Sequence, residues 1–454
     1  MSLYEWFLLF LSFNLIIFGG SYKLFNLAGV AGWKALIPFY NIIKYLDIIK
    51  RPRWWTILVF IPVINLLMIP VIWIEFIKTF NHSTKSDRIL VIITLGLYIY
   101  YVSYVSNKTK YIDEISFSNF ERSFGSIIFA VVIATIVHNY IIQPFVIPTG
   151  SLEKTLRVGD FLLVSKFHYG ARIPSTVISF PMVHDTIPII KSRSYLKKPQ
   201  LPYLRIPGFQ EIKNNDIVVF NWPADTVRKF FVKEKGVIKP IDKKSNYVKR
   251  AIGIPGDTLE IRDGLIYLNG KENTLPDRAK PLFTYLIKSD KGVSSSKLIN
   301  LQVDGFIRKF IIRNLSTDTY AEISKYILNI SNTGENEYLI YTTDKGVPVD
   351  LVRKLGLDIR EIIDKEKELS LTYIDAIKIE NSNQFDTIYR LIEKESPLNS
   401  IFFANNKRFN WNNDQFGPIY IPKAGDKIDL NINTLPLYKK IIIDYEYNDL
   451  RVVE

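Results

Sequence analysis

The chain has no cysteine among its 454 residues. That excludes disulfide frameworks, cysteine-ligated zinc and a thiol nucleophile. It leaves the compartment open, because a large domain needs no disulfides even in an oxidising space. Histidine is nearly as scarce, with four copies, and none stands in a local motif beside a serine. Although the net charge is +13, no RNP-like, zinc-finger or basic-zipper pattern accompanies it. Charge alone gives only non-specific attraction, so the excess is read as basic loops beside membrane helices and lysine-rich solvated faces. Nucleic acid is not an expected partner, and neither a cofactor nor a metal is expected.

What the chain has is hydrophobic residues, 48% of the total, crowded into its first 145 positions. Segments 3–25, 56–74, 89–105 and 125–145 are apolar enough to span or nearly span a bilayer. The first begins with Glu5 and ends without a small-residue cleavage site, unlike a cleaved signal peptide. Lys34, Lys44, Lys50, Arg51 and Arg53 follow it, which puts that loop in the cytoplasm. Four spans then leave the N-terminus and everything beyond Phe145 outside. His138 lies inside the fourth segment and is read as a neutral hydrogen-bonding group, since no second ionisable residue there could partner it.

From Ser151 onward short strand-like runs are punctuated by Gly, Pro and Asp. The runs 161–164, 216–220, 247–252, 258–261 and 265–268 read as strands. Arg262-Asp-Gly264 and Asn269-Gly270 are hairpin-turn sequences. Residues 273–400 read as charged and helix-like, and Gly417-Pro-Ile-Tyr-Ile-Pro422 returns to strand character. The expected fold is a mainly β soluble domain with an α/β insert, preceded by an all-α transmembrane region. Its expected divisions are a membrane region 1–123, an anchor helix 124–146, a β core 147–272 with an insert 170–245, a charged insert 273–400, and a return to the core over 401–454.

Two segments carry chemistry. Ser151 sits in Pro148-Thr-Gly-Ser151 just after the fourth apolar segment, and Lys249 sits in the strand-like Tyr247-Val-Lys-Arg-Ala-Ile252. A hydroxyl with a neutral amine is a nucleophile–base pair. An unperturbed lysine, pKa near 10.4, is neutral only about once in 2,500 molecules at pH 7. Apolar burial lowers that pKa, and Tyr247, Val248, Ala251 and Ile252 flank Lys249. Strict alternation puts Lys249 on the face of Tyr247 and Ala251, with Arg250 opposite and available for an ion pair. Singly, each residue has a plainer reading, a turn serine and an edge-strand lysine. The joint pattern of span, prolines and Pro-Gly-Asp turn is more specific.

These residues resemble bacterial type I signal peptidase, over 143–167 and 247–270 above all. Gly170-Ala-Arg-Ile-Pro-Ser175, Ser179-Phe-Pro181, Asn221-Trp-Pro223 and the stretch Ala31-Gly-Trp-Lys-Ala-Leu-Ile-Pro-Phe-Tyr-Asn41 are similar to the larger, insert-bearing form of Bacteroidetes-type bacteria. The resemblance implies Ser151 as nucleophile, Lys249 as general base, and Thr149 as a hydroxyl joining the Ser151 N–H in an oxyanion hole. It implies that Phe145, Ile147, Pro148, Leu152, Leu156, Tyr247 and Val248 line pockets for small residues of a signal peptide, with Arg250 and Asp257 in support. Leu152 replaces the family's usual methionine, a swap that nearly conserves volume. The implied partners are signal peptides of exported preproteins, membrane lipid and the secretion translocon. The implied location is the bacterial inner membrane, with the catalytic domain outside. The family's late Gly-Asp-Asn-Arg-x-Asn-Ser-x-Asp-Ser-Arg box has no counterpart up to Glu454; Asn405-Asn406 and Asn412-Asn-Asp414 do not replace it. The β core is therefore expected to lack its last segment. That keeps open an alternative, a catalytically incompetent homologue that binds exported segments without cutting them.

Overall fold

The computed structural model describes residues 2–113, 118–225, 236–394, 409 and 411–452. Asn405 and Asn406 lie outside them. The chain forms two compact units: residues 1–148 with 158–251, and residues 149–157 with 252–454.

The first unit opens with helix α1 (Leu3–Leu27), started by a capping box in which Ser2 and Glu5 satisfy each other's backbone N–H. Helices α2 (Tyr40–Ile48), α3 (Trp55–Phe60), α4 (Asn65–Thr79), α5 (Lys85–Ile93) and α6 (Tyr98–Tyr100) follow. Helix α7 (Asn119–Ile136), with its own capping box from Ser118 and Glu121, continues as a π-turn to Ile141. Phe25, Tyr45, Phe76 and Phe80 form an aromatic column at the centre of this bundle, with centroids 4.5–5.1 Å apart along the chain of rings. Tyr100 and Tyr104 donate to carbonyls of α1, Ile16 at 2.6 Å and Gly19 at 2.8 Å. Gly19 and Gly20 permit that approach: a Cβ on Gly19 would collide with the Tyr100 hydroxyl, and one on Gly20 would press on the Tyr100 ring at 3.0 Å.

Two described helices are long and apolar enough to cross a membrane, Leu3–Leu27 and Glu121–Ile141. The two middle apolar segments differ from the continuous spans that their composition predicts. Residues 56–74 break between α3 and α4, where Pro62 follows α3 and Val63 takes φ +71°. Residues 89–105 break after α5, where Gly96 takes φ +86°. Ion pairs show that both segments return to the level at which they began. Arg51, ahead of α3, holds Glu75 near the end of α4 in a two-pronged contact of 2.6 and 2.8 Å. Lys78 and Arg88 both reach Glu121 at the start of α7, at 2.8 and 2.9 Å. Lys50 pairs with Asp113 at 2.9 Å, and the Ile112 N–H donates to the Thr79 carbonyl. One charged layer thus collects residues 50, 51, 75, 78, 88, 113 and 121.

The fourth apolar segment also ends early. Helix stops at Ile141, and strand β1 (Ile142–Val146) begins. Pro144 accounts for this, since it cannot donate in a helix and biases Gln143 toward extended backbone. Strand β1 pairs antiparallel with β2 (Phe161–Ser165), and β3 (Asp216–Asn221) with β4 (Asn246–Ala251). Between β2 and β3 the chain makes an irregular two-armed excursion whose nested bridges join Arg172 to Arg205, Thr176 to Gln200, and Ser179 to Tyr195. Polar contacts brace it: Asp242 accepts from the Thr176 N–H and hydroxyl, Lys243 donates to Ser179 Oγ at 2.6 Å, and Lys239 pairs with Asp225 at 3.3 Å.

The second unit is mainly β. Strands β5 (Thr258–Arg262), β6 (Leu265–Leu268), β7 (Lys271–Glu272) and, later, a strand at Phe416–Tyr420 form one antiparallel sheet. Asp263-Gly264 and Asn269-Gly270, all at positive φ, make its hairpin turns. The region expected to be helix-like instead holds seven described strands: β8 (Phe283–Lys288), β9 (Arg308–Arg313), β10 (Ile327–Gly334), β11 (Glu337–Thr342), β12 (Asp358–Glu361), β13 (Glu366–Leu371) and β14 (Thr387–Arg390). The Phe416–Tyr420 strand is β15 in chain order. Strands β8–β14 form two sheets, β13-β8-β14 and β10-β11-β9-β12. Four short helices accompany them: α8 (Ser295–Asn300), α9 (Thr317–Ile323), α10 (Val349–Leu355) and α11 (Tyr373–Asn381). Lysines and glutamates on the solvated faces of these strands give a helix-like composition, whereas Ile287, Ile312, Ile340 and Leu371 alternate into the cores. Helix α12 (Leu435–Lys440) follows β15. A mainly antiparallel β domain with an α/β insert, preceded by apolar helices, is thus the architecture.

Candidate functional site

The residues singled out in the sequence divide between the two units. Phe145, Ile147, Pro148, Tyr247, Val248, Lys249 and Arg250 belong to the first; Thr149, Ser151, Leu152, Leu156 and Asp257 belong to the second.

In the first unit Lys249 stands mid-strand on β4, half-buried, directly opposite Val218 of β3. Tyr247 lies two residues along the same face, opposite Phe220, and its ring packs 5.2 Å from Trp222. The apolar environment pulls the Lys249 ammonium below its ordinary pKa by desolvation. Burial pushes the Tyr247 phenol up for the same reason. Arg250, on the opposite face, donates to the Asn215 carbonyl at 2.7 Å, so it anchors the strand through a backbone carbonyl. Val248 is half-buried opposite Val219.

Strand β1 places Phe145 opposite Leu162. Ile147 is only 3% exposed; its N–H donates to the Asp160 carbonyl and its carbonyl accepts from Gly159. Pro148 is exposed. Sequence reading passed over one neighbour. Lys166 stands over the Phe145 ring at 5.8 Å, and its ammonium is pushed down to about 8, first by burial and then by the positive charges of Arg172 and Arg205. The available signal was a lysine closing the apolar run 161–165, but the two arginines meet it only in the folded chain.

In the second unit Thr149 and Ser151 are exposed at the head of a turn-rich segment. Glu153 and Leu156 donate backbone bonds to Gly150 and Leu152, which winds the chain directly after the serine. Leu152 and Leu156 are half-buried. Lys154 pairs with Asp304, and the Thr155 hydroxyl donates to the Arg278 carbonyl at 3.0 Å, fixing the far end of the segment. Asp257 closes its Pro-Gly-Asp turn by accepting from the Ile254 N–H at 3.0 Å and from Asn269 Nδ2 at 2.8 Å. His138, in α7's continuation, contacts Asn139 Oδ1 at 3.3 Å. No group of three or more potential metal ligands occurs among the described residues.

An exposed hydroxyl on a braced turn and a partly desolvated amine on an apolar strand are parts suited to acyl transfer. In comparison with known proteins, residues 121–303 match the family described as signal peptidase, peptidase S26. The chain is related to the bacterial type I signal peptidases. It is 31% identical over 153 residues to signal peptidase I of Rickettsia massiliae, covering 34% of this chain and 44% of that protein. It is also 31% identical over 151 residues to signal peptidase I of Pseudomonas aeruginosa, covering 33% and 37% respectively. The chain therefore spans less than half the length of these curated relatives. Residues 33–114 match a family of unknown function, and no solved structure matches the chain.

Proposed function

We propose that the chain is a membrane-bound serine endopeptidase that removes N-terminal signal peptides from exported proteins. Ser151 Oγ attacks the scissile carbonyl while Lys249 Nζ takes its proton, and the lysine then protonates the departing amine. Water activated by the same lysine hydrolyses the acyl-enzyme. Thr149 Oγ1 and the Ser151 N–H donate to the oxyanion as its charge develops. The extended substrate pairs with a strand edge, and its small side chains enter pockets lined by Phe145, Ile147, Pro148, Leu152, Leu156, Tyr247 and Val248. Helices α1 and α7 cross the inner membrane, with the basic stretch from Lys34 to Arg53 in the cytoplasm and everything beyond Ile141 outside, where translocated substrates emerge beside the translocon.

The observation that carries this reading is the lysine within the family-matched region on an apolar strand face, its pKa drawn down by desolvation. With the full chain in proteoliposomes, Ser151→Ala and Lys249→Met are each expected to lower precursor cleavage about a thousandfold or more. Unchanged cleavage by both folded variants would overturn the assignment. Because the base must be neutral, cleavage should rise with pH through the depressed pKa of Lys249 and then level off. A profile flat across that range would remove lysine from the role. A non-cutting homologue that retains exported segments would bind precursor yet fail to react with an acylating signal-peptidase inhibitor.

A further inference from the structure

The charged layer of the first unit borders a cavity of about 690 Å³ between α3 and α4 on one side and α7 on the other. Among the described residues its lining includes Arg51, Lys78, Arg88 and Arg122 against Glu75 and Glu121, two cations to each carboxylate. The ion pairs already described hold both carboxylates within this layer. Deeper in, the lining changes to Trp55, Met68, Ile128 and Val132 without a further charge. From Glu121 to Val132 the helical rise is about 16 Å, half of a hydrocarbon core about 30 Å thick.

We infer that this cavity is a binding site for an anionic phospholipid from the leaflet on the side of the charged layer. The arginines and Lys78 meet the phosphate, and one acyl chain lies along the wall made by Met68, Ile128 and Val132. Depth and charge together specify the occupant. A zwitterionic lipid would bring its own cation to a mouth already cationic, and a free anion would leave the apolar wall bare. Anionic headgroups gain from clustered basic residues in this way at the membrane surface. The inference rests on the reading of α1 and α7 as membrane-crossing helices but not on peptidase activity.

The test is native mass spectrometry of the full chain released from nanodiscs of equimolar phosphatidylglycerol and phosphatidylcholine. Phosphatidylglycerol is expected to be retained roughly tenfold over phosphatidylcholine, and Arg122→Gln to reduce that preference several-fold. Gly125 lines the cavity, and a Cβ there meets nothing within 4 Å. Gly125→Phe should therefore fill the space and abolish retention while leaving thermal stability intact. Inorganic phosphate at millimolar concentration should not compete, since it lacks the chain. Equal retention of the two lipids, retention unaffected by Gly125→Phe, or displacement by phosphate alone would each overturn the site. Failure of the chain to insert into any bilayer would overturn the membrane reading beneath it, whereas catalytic failure of Ser151→Ala bears only on the proposed function.

Discussion

Helices α1 and α7 and the two apolar segments between them share one composition but not one path. The outer pair are unbroken over Leu3–Leu27 and Glu121–Ile141. The inner pair each fold back, so that Arg51 meets Glu75 and both Lys78 and Arg88 meet Glu121. Hydropathy records how well a segment tolerates lipid, not where it ends. Direction is set by turn residues in the middle of a segment and by charges at its two ends. A segment that folds back also leaves the number of crossings unchanged, so under the proposed topology the N-terminus and the soluble domain share one side.

The absence of cysteine makes this contrast directly testable. Single cysteines at Lys34, Lys85 and Val158 can be labelled with a membrane-impermeant maleimide. Positions 34 and 85 are expected to react from one face of the membrane and 158 from the other, an all-or-none difference. Four complete spans would put 85 opposite 34, and that outcome would erase the distinction between the two kinds of segment. Next in size is Glu75→Ala. It strips Arg51 of a two-pronged partner whose side chain is 11% exposed, while Arg51 itself keeps 32% exposure. The expected loss is about 2–3 kcal/mol, below the range for fully buried pairs; a melting temperature equal to wild type would argue that the layer is incidental.

Smaller effects sharpen the same comparison. Gly96→Ala puts a side chain at φ +86° and brings its Cβ 2.9 Å from the Trp73 ring, in the turn that lets the second returning segment come back. A loss of about 1–2 kcal/mol is expected in thermal unfolding; a neutral result would mean the turn does not need glycine. Gly125→Ala, in the unbroken helix α7 with open space around it, should instead add about 0.5–1 kcal/mol. If both substitutions moved stability in the same direction, the two glycines would not differ in role.

How much could be read beforehand follows the range of the forces involved. Strands β2, β3, β5 and β6 were legible because alternation and turn residues such as Asp263-Gly264 and Asn269-Gly270 act locally. The strand under Lys249 was legible for the same reason, but its pairing with Val218 and Phe220 was not, since nothing near residue 249 names its partner. The Arg51–Glu75 contact joins residues 24 positions apart, and composition does not report it. In the insert, Arg308-Lys-Phe-Ile-Ile-Arg313 carries charges at its ends as a surface helix does, yet Phe310 and Ile312 face a core in strand period. The lowered pKa of Lys166 needs Arg172 and Arg205 beside it, and only folding brings them there.

One early contact has a bearing on biosynthesis. Trp6 Nε1, near the start of α1, donates to the carbonyl of Gln200 at 2.9 Å, a partner 194 residues further along. At about 5–20 residues per second, Gln200 is made roughly 10–40 s after Trp6. The first helix must wait without that bond until the far arm of the excursion has been synthesised and has reached it. Slowing translation ahead of codon 200 should lengthen that wait, and protease protection of the N-terminus in ribosome-bound chains would time it.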